Sequence, residues 1–237
     1  MTAGSRRAGR WSAWVYAVGA LLGGGLVGFA SSGIPPVDLD PGAHYAAVRG
    51  VWPELYAAVL VVLVAFLALM PLGLALRDRL GPAGPGSELV SAAFLAAAIV
   101  GMLAGLVQIG SAQAIAQESA GLDSAGLKAL ASGDTIWSGV IDWLDRGFFL
   151  PAGLGTYWAG RGALRTGSLP RSWAWLGLVI SGFYGLGLAS LLAQDAGLGL
   201  PLGAGGGLIL LGFILSTVWA AWLGFELGRT PRGELSS

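Results

Sequence analysis

Six long apolar stretches divide this chain, at about residues 11–30, 54–76, 88–116, 136–160, 173–193 and 201–224. Each reaches or exceeds the ~20 residues that a helix needs to cross a bilayer core. The composition agrees. With 237 residues, 55% of them hydrophobic and 11% charged, the chain lacks the polar surface of a water-soluble globule, which carries roughly 25% charged residues. The expectation is an all-α, polytopic membrane bundle of six transmembrane helices in a single domain.

The first stretch follows Arg6, Arg7 and Arg10 and ends among small residues, as a secretory signal does. Its apolar run is longer than the roughly 7–15 residues of a signal peptide, so it reads as a retained helix. Arginine and lysine then orient the spans. With the N-terminus inside, the cytoplasmic segments hold Arg6, Arg7, Arg10, Arg77, Arg79, Arg161, Arg165, Arg171, Arg229 and Arg232. Only Arg49 and Lys128 fall on the other side, and Arg146 falls within a span. This bias predicts that both termini face the cytoplasm, in the cytoplasmic membrane. Tryptophans near both sets of span ends agree, because indole prefers the interface.

Two outer loops, 31–53 and 117–135, are long enough to hold local structure. In the second, Asp123 or Ser124 would cap a short helix with Leu127 and Leu130 on one face. Glycine numbers 41, and small residues repeat at four-residue spacing at Gly24 and Gly28, Gly101 and Gly105, Gly203 and Gly207, and along Ser181, Gly185 and Ala189. In lipid such residues let helix backbones approach closely. They would pack the bundle, or form the seam of a homo-oligomer.

The fourth stretch carries Asp142-Trp-Leu-Asp145-Arg146. Each charge costs roughly 2.5–3.5 kcal/mol at a helix centre, so the group requires partners or water. Asp142 and Arg146 have the i, i+4 spacing of a helical ion pair. Asp145, with Gln108 and Tyr184 from neighbouring spans, would complete a network six to ten residues, about 9–15 Å, below the outer end. Pro151 should bend the helix just beyond. These five residues are the candidate ligand or proton site; structural glue between helices is the competing reading.

Sharper chemistries fail. The chain has no cysteine, and His44 is its lone histidine, which excludes thiolate chemistry, sulfur-ligated metals and bis-histidine haem. Asp38, Asp40 and His44 make at most a weak metal set. Ser132-Gly-Asp134 echoes an intramembrane protease motif without its first glycine, and no nucleophile with a base is visible. The reading is therefore not an enzyme, with no catalytic residues, no metal, no cofactor and no nucleic-acid partner.

Gly155-Thr-Tyr-Trp-Ala-Gly-Arg161, followed by Thr166-Gly-Ser-Leu-Pro-Arg171, resembles a bacterial family of multi-helix membrane proteins, domain of unknown function 4386. The likeness covers about residues 10–195 and rests mainly on Phe148-Phe149 and the Gly167–Arg171 turn. It implies a membrane bundle and supplies no activity. In physical terms Gly167 permits a tight turn, Pro170 suits a helix start, and Arg165 and Arg171 stand where anionic lipid headgroups concentrate. The functional expectation is binding of a small molecule, a lipid or a partner protein through the outer half of the bundle. Proton-coupled transport through Asp142, Asp145 and Arg146 is the alternative.

Overall fold

The computed structural model describes residues 3–81, 85–198 and 204–229. It holds six helices: α1 (Ala3–Ser31), α2 (Pro41–Leu80), α3 (Pro85–Glu118), α4 (Ser124–Thr166), α5 (Arg171–Asp195) and α6 (Ala204–Gly228). Five of them, all but α4, are long and apolar enough to cross a membrane. Arg232, Gly203 and the start of the sixth apolar stretch lie outside the described residues.

Each helix packs against its neighbours in sequence, α6 returns to α1, and α2 touches α4 across the ring. Successive helices run antiparallel: on α1, Gly9 faces Ala75 and Gly23 faces Val62. The starts of α1, α3 and α5 and the ends of α2, α4 and α6 therefore share one end of the bundle, where the arginines gather. The opposite end is acidic, with Asp38, Asp40, Glu118, Asp123, Asp134 and Asp195.

Local signals explain the helix limits. Asp40 caps α2 by accepting from Ala43 N at 3.0 Å, with Pro41 at the first helical position. Asp123 caps α4 by accepting from Gly126 N at 2.8 Å. Gly167 ends α4 in the left-handed conformation, φ 64°, and Pro170 stands just before α5. The predicted outer loops are mostly helix. From its cap at Asp40, α2 continues through Pro53, and α4 runs unbroken from Ser124 into the apolar stretch and through Pro151. At 40 and 43 residues, these two helices are each roughly 60 Å long, about twice a bilayer core. They reach well past α5 and α6, of 25 residues each, on the acidic side.

The main core lies towards the basic end, built from Tyr16, Leu69, Leu72, Phe94, Trp173 and Trp219 among others. A smaller cluster of Ala30, Leu55, Val59 and Leu63 lies towards the acidic end. The outside is apolar as well: Leu95, Ile99, Leu103 and Leu106 form an exposed stripe on α3, and Leu210, Ile214 and Val218 form one on α6. A helix that is apolar all round belongs in a protein interior or in lipid, and these outer faces have no protein against them. Of the small-residue stripes, Gly101 and Gly105 are spent inside the chain, against Phe66 and Leu63 of α2, whereas Gly185 faces open space.

Candidate functional site

The sequence-predicted residues do not form one network. Arg146 does not pair with Asp142; its guanidinium donates to the Asp195 carboxylate, across from α4 to the last residue of α5. Asp142 and Asp145 are exposed, and the Arg146 side chain also lies over the Trp143 ring, 5.3 Å from its centroid. The cause is the length of α4. Because the helix begins at Ser124 and α5 ends beside Arg146, the charged group is level with a helix end rather than buried two turns below one. There the ions need little compensation, and an ion pair this open is worth at most about 1 kcal/mol.

Tyr184 belongs elsewhere. It is buried beneath Gly153 and Gly212, 5.3 Å ring to ring from Phe149, and its hydroxyl, near Ser216, has no well-formed hydrogen bond among the described residues. Close to it, the Tyr16 hydroxyl and Ser216 Oγ are 3.0 Å apart, joining α1 to α6. Gln108 is half-buried on α3, and its side chain forms no hydrogen bond among the described residues. No group of three metal-ligating side chains occurs among the described residues; Asp40 is engaged as a helix cap.

What the extended helices create instead is a groove of about 480 Å³ between the acidic ends of α3 and α4. Val107, Ser111 and Glu118 line it from α3, and Leu130, Asp134 and Trp137 from α4. Its volume falls within the roughly 300–1,000 Å³ of small-molecule sites. Asp134 is the polar centre. Its carboxylate is mostly buried, 3.9 Å from His44 Nε2. His44 Nδ1 donates to the Pro35 carbonyl at 2.7 Å, which turns Nε2 towards Asp134. Next to His44, the Tyr45 side chain is fully buried, and its hydroxyl has no well-formed hydrogen bond among the described residues although it lies in the field of Asp134. Burial pushes the Asp134 carboxyl above the usual carboxylate range, while neighbouring His44 and Tyr45 pull it the other way.

Sequence reasoning passed over this group. Asp134 was weighed only as part of a protease motif, and its partners are about ninety residues away in sequence, on a segment read as loop. A second groove, about 500 Å³ between α1 and α2, is lined by Trp11, Trp14, Val18, Leu60 and Val64 among others. Among the described residues it offers no charged side chain to orient a ligand. At the basic end, Arg165 lines a small pocket with Arg161, while Arg171 is exposed at the start of α5 and does not line it.

No protein-family model matches the chain, and neither a curated protein nor a solved structure does. The resemblance noted above therefore rests on the residues quoted for it.

Proposed function

We propose that this chain is a six-span protein of the cell membrane, with both termini in the cytoplasm, that binds a small amphiphilic cation in the groove between α3 and α4. The orientation rests on the gathering of arginine at one end of the ring. It predicts that single cysteines at positions 38 and 128, in this cysteine-free chain, react with an impermeant thiol reagent in intact cells. A cysteine at position 165 should react only after the cells are opened. Labelling at position 165 in intact cells would invert the topology.

The binding function rests on one observation: a mostly buried carboxylate, Asp134, set in an otherwise largely apolar groove beside an aromatic ring. A cation with an apolar body matches all three elements, through the charge of Asp134, the face of Trp137 and the aliphatic walls. The Ser111 hydroxyl in the groove donates to the Gln108 carbonyl at 3.2 Å, which gives catalysis no activated nucleophile to point to, and Asp142 and Asp145 do not line the groove, so proton-coupled transport draws no support from it.

The probe is tetraphenylphosphonium, with neutral triphenylphosphine oxide as comparator, measured by equilibrium binding to the purified protein in detergent. The cation should bind the more tightly, and Asp134→Asn should weaken it by at least about tenfold, near 1.4 kcal/mol. Lowering the pH should weaken binding too. Protonating Asp134 removes the site charge, and it does so at a higher pH than for an ordinary carboxylate. His44 on α2 and Glu118 on α3 also face the carboxylate, and Tyr45 stays neutral throughout, its hydroxyl pushed up by burial. Equal affinity for cation and comparator, or for the wild type and Asp134→Asn, would refute the reading.

A further inference from the structure

The other end of α4 carries a feature of opposite sign. Arg161 and Arg165 stand one turn apart in its last turns and line a pocket of about 190 Å³ with Trp158, Leu80, and Gly86 and Ser87 from the first turn of α3. Among the described residues no Asp or Glu lines it. Glu88, the next residue along α3, lies 3.7 Å from Arg77 and is not part of the lining. Arg165 makes no hydrogen bond or ion pair among the described residues. Arg161 donates to the Tyr157 hydroxyl at 2.6 Å and lies 5.8 Å above the centre of the Trp158 ring. One edge of its guanidinium is thereby braced, and its remaining N–H groups are unspent.

We propose that this pocket binds a phosphate group, carried either by an anionic phospholipid or by a free phosphomonoester. Two guanidiniums at adjacent turns match phosphate oxygens as a pair of forks, a geometry that lysine does not provide. With no carboxylate among the described residues of the wall, the pocket concentrates positive charge that an anion relieves. The start of α3 adds to it the partial positive charge of a helix N-terminus. Size narrows the choice, because 190 Å³ accommodates a single small headgroup and falls below the roughly 300 Å³ at which drug-sized sites begin. Position narrows it further: the pocket is at the arginine-rich end, where a membrane-spanning bundle meets the headgroups.

The test measures thermal protection of the purified full chain in neutral detergent by two probes, phosphatidylglycerol and glycerol 3-phosphate. Four forms are compared: wild type, Arg161→Gln with Arg165→Gln, Arg161→Lys with Arg165→Lys, and Arg171→Gln. The third conserves charge, and the fourth removes one arginine from the same end outside the pocket. Wild type and Arg171→Gln should be protected equally, and the glutamine pair should lose most of the protection. The lysine pair should need at least about threefold more probe, because it keeps the charge and forfeits the forks. Protection by both probes identifies the phosphate group itself as the ligand, and protection by phosphatidylglycerol alone identifies the lipid. Full protection of the glutamine pair overturns the proposal, as does an equal loss in Arg171→Gln, which would mean unspecific attraction to a basic surface. Should the glutamine pair not fold, the lysine pair decides: unchanged probe dependence there overturns the site.

Discussion

Trp219→Ala is expected to lower the unfolding free energy by about 3–5 kcal/mol, the usual cost of removing a buried aromatic side chain. Trp219 joins three helices. Its ring stacks on Trp173 of α5 at 4.3 Å between centroids and lies 6.2 Å from Phe94 of α3. Its carbonyl accepts from Trp173 Nε1 at 3.0 Å. In lipid the loss does not come from exposing apolar surface to water, because the surrounding chains are as apolar as the core. It comes from dispersion contacts forfeited around a cavity that the ring cannot fill by collapse. Trp219→Phe should cost much less, since it keeps an aromatic plane against Trp173. It also removes an indole N–H that has no partner among the described residues in its buried position. Thermal melting in a mild detergent checks both variants. A loss below about 1 kcal/mol for the alanine variant would mean that the stack does not hold the ring together.

The parts of this fold legible in the sequence are those governed by local chemistry. Apolar runs gave the six helices because a bilayer-length run has few other uses. Asp123 and the Gly167–Pro170 turn gave helix limits because caps and left-handed glycines act within a few residues. Hydropathy was blind to the first turns of α2 and α4, where polar sequence continues the same helices out of the apolar zone. That error displaced the candidate site. With 31–53 and 117–135 read as loops, the Asp142–Arg146 group reads as deep, and Asp195, just past the fifth apolar stretch, does not enter the candidate site. The pairing of Arg146 with Asp195 spans 49 positions and depends on where α5 stops, which no local pattern encodes. His44 and Asp134 were each noticed singly, for chemistries that failed. Their meeting follows from the antiparallel ring, which sets the start of α2 beside the start of α4 only when both extend. Four-residue glycine spacing was an equally weak guide: Gly101 and Gly105 pack, while Gly185 is open.

The glycines that matter most are found by proximity, and Gly160→Ala is expected to be the most damaging single-methyl addition along the α4–α5 seam. A Cβ at position 160 would stand 2.5 Å from the Ala174 carbonyl oxygen and 3.3 Å from Leu178 N. Both atoms are helix backbone, so no side-chain rotation relieves the clash; α4 and α5 must separate. The same seam is tight one turn away, where a Cβ at Gly177 would come within 3.0 Å of the Thr156 carbonyl. Separation there is opposed by packing on both sides, and the cost should reach the upper part of the overpacking range, about 3 kcal/mol. Gly185→Ala provides the contrast on α5. Its Cβ would meet nothing within 4 Å, and alanine is the better helix former by up to about 1 kcal/mol, so its melting temperature should equal or exceed that of the wild type. A second readout locates the damage. Ala174 follows Trp173 directly, so moving α5 outward should open the Trp173–Trp219 stack and change the near-ultraviolet circular dichroism of Gly160→Ala while leaving Gly185→Ala unaltered. If Gly160→Ala melts with the wild type and keeps its near-ultraviolet signal, the close approach of α4 and α5 is wrong, and with it the placement of Arg161 and Arg165 around their pocket.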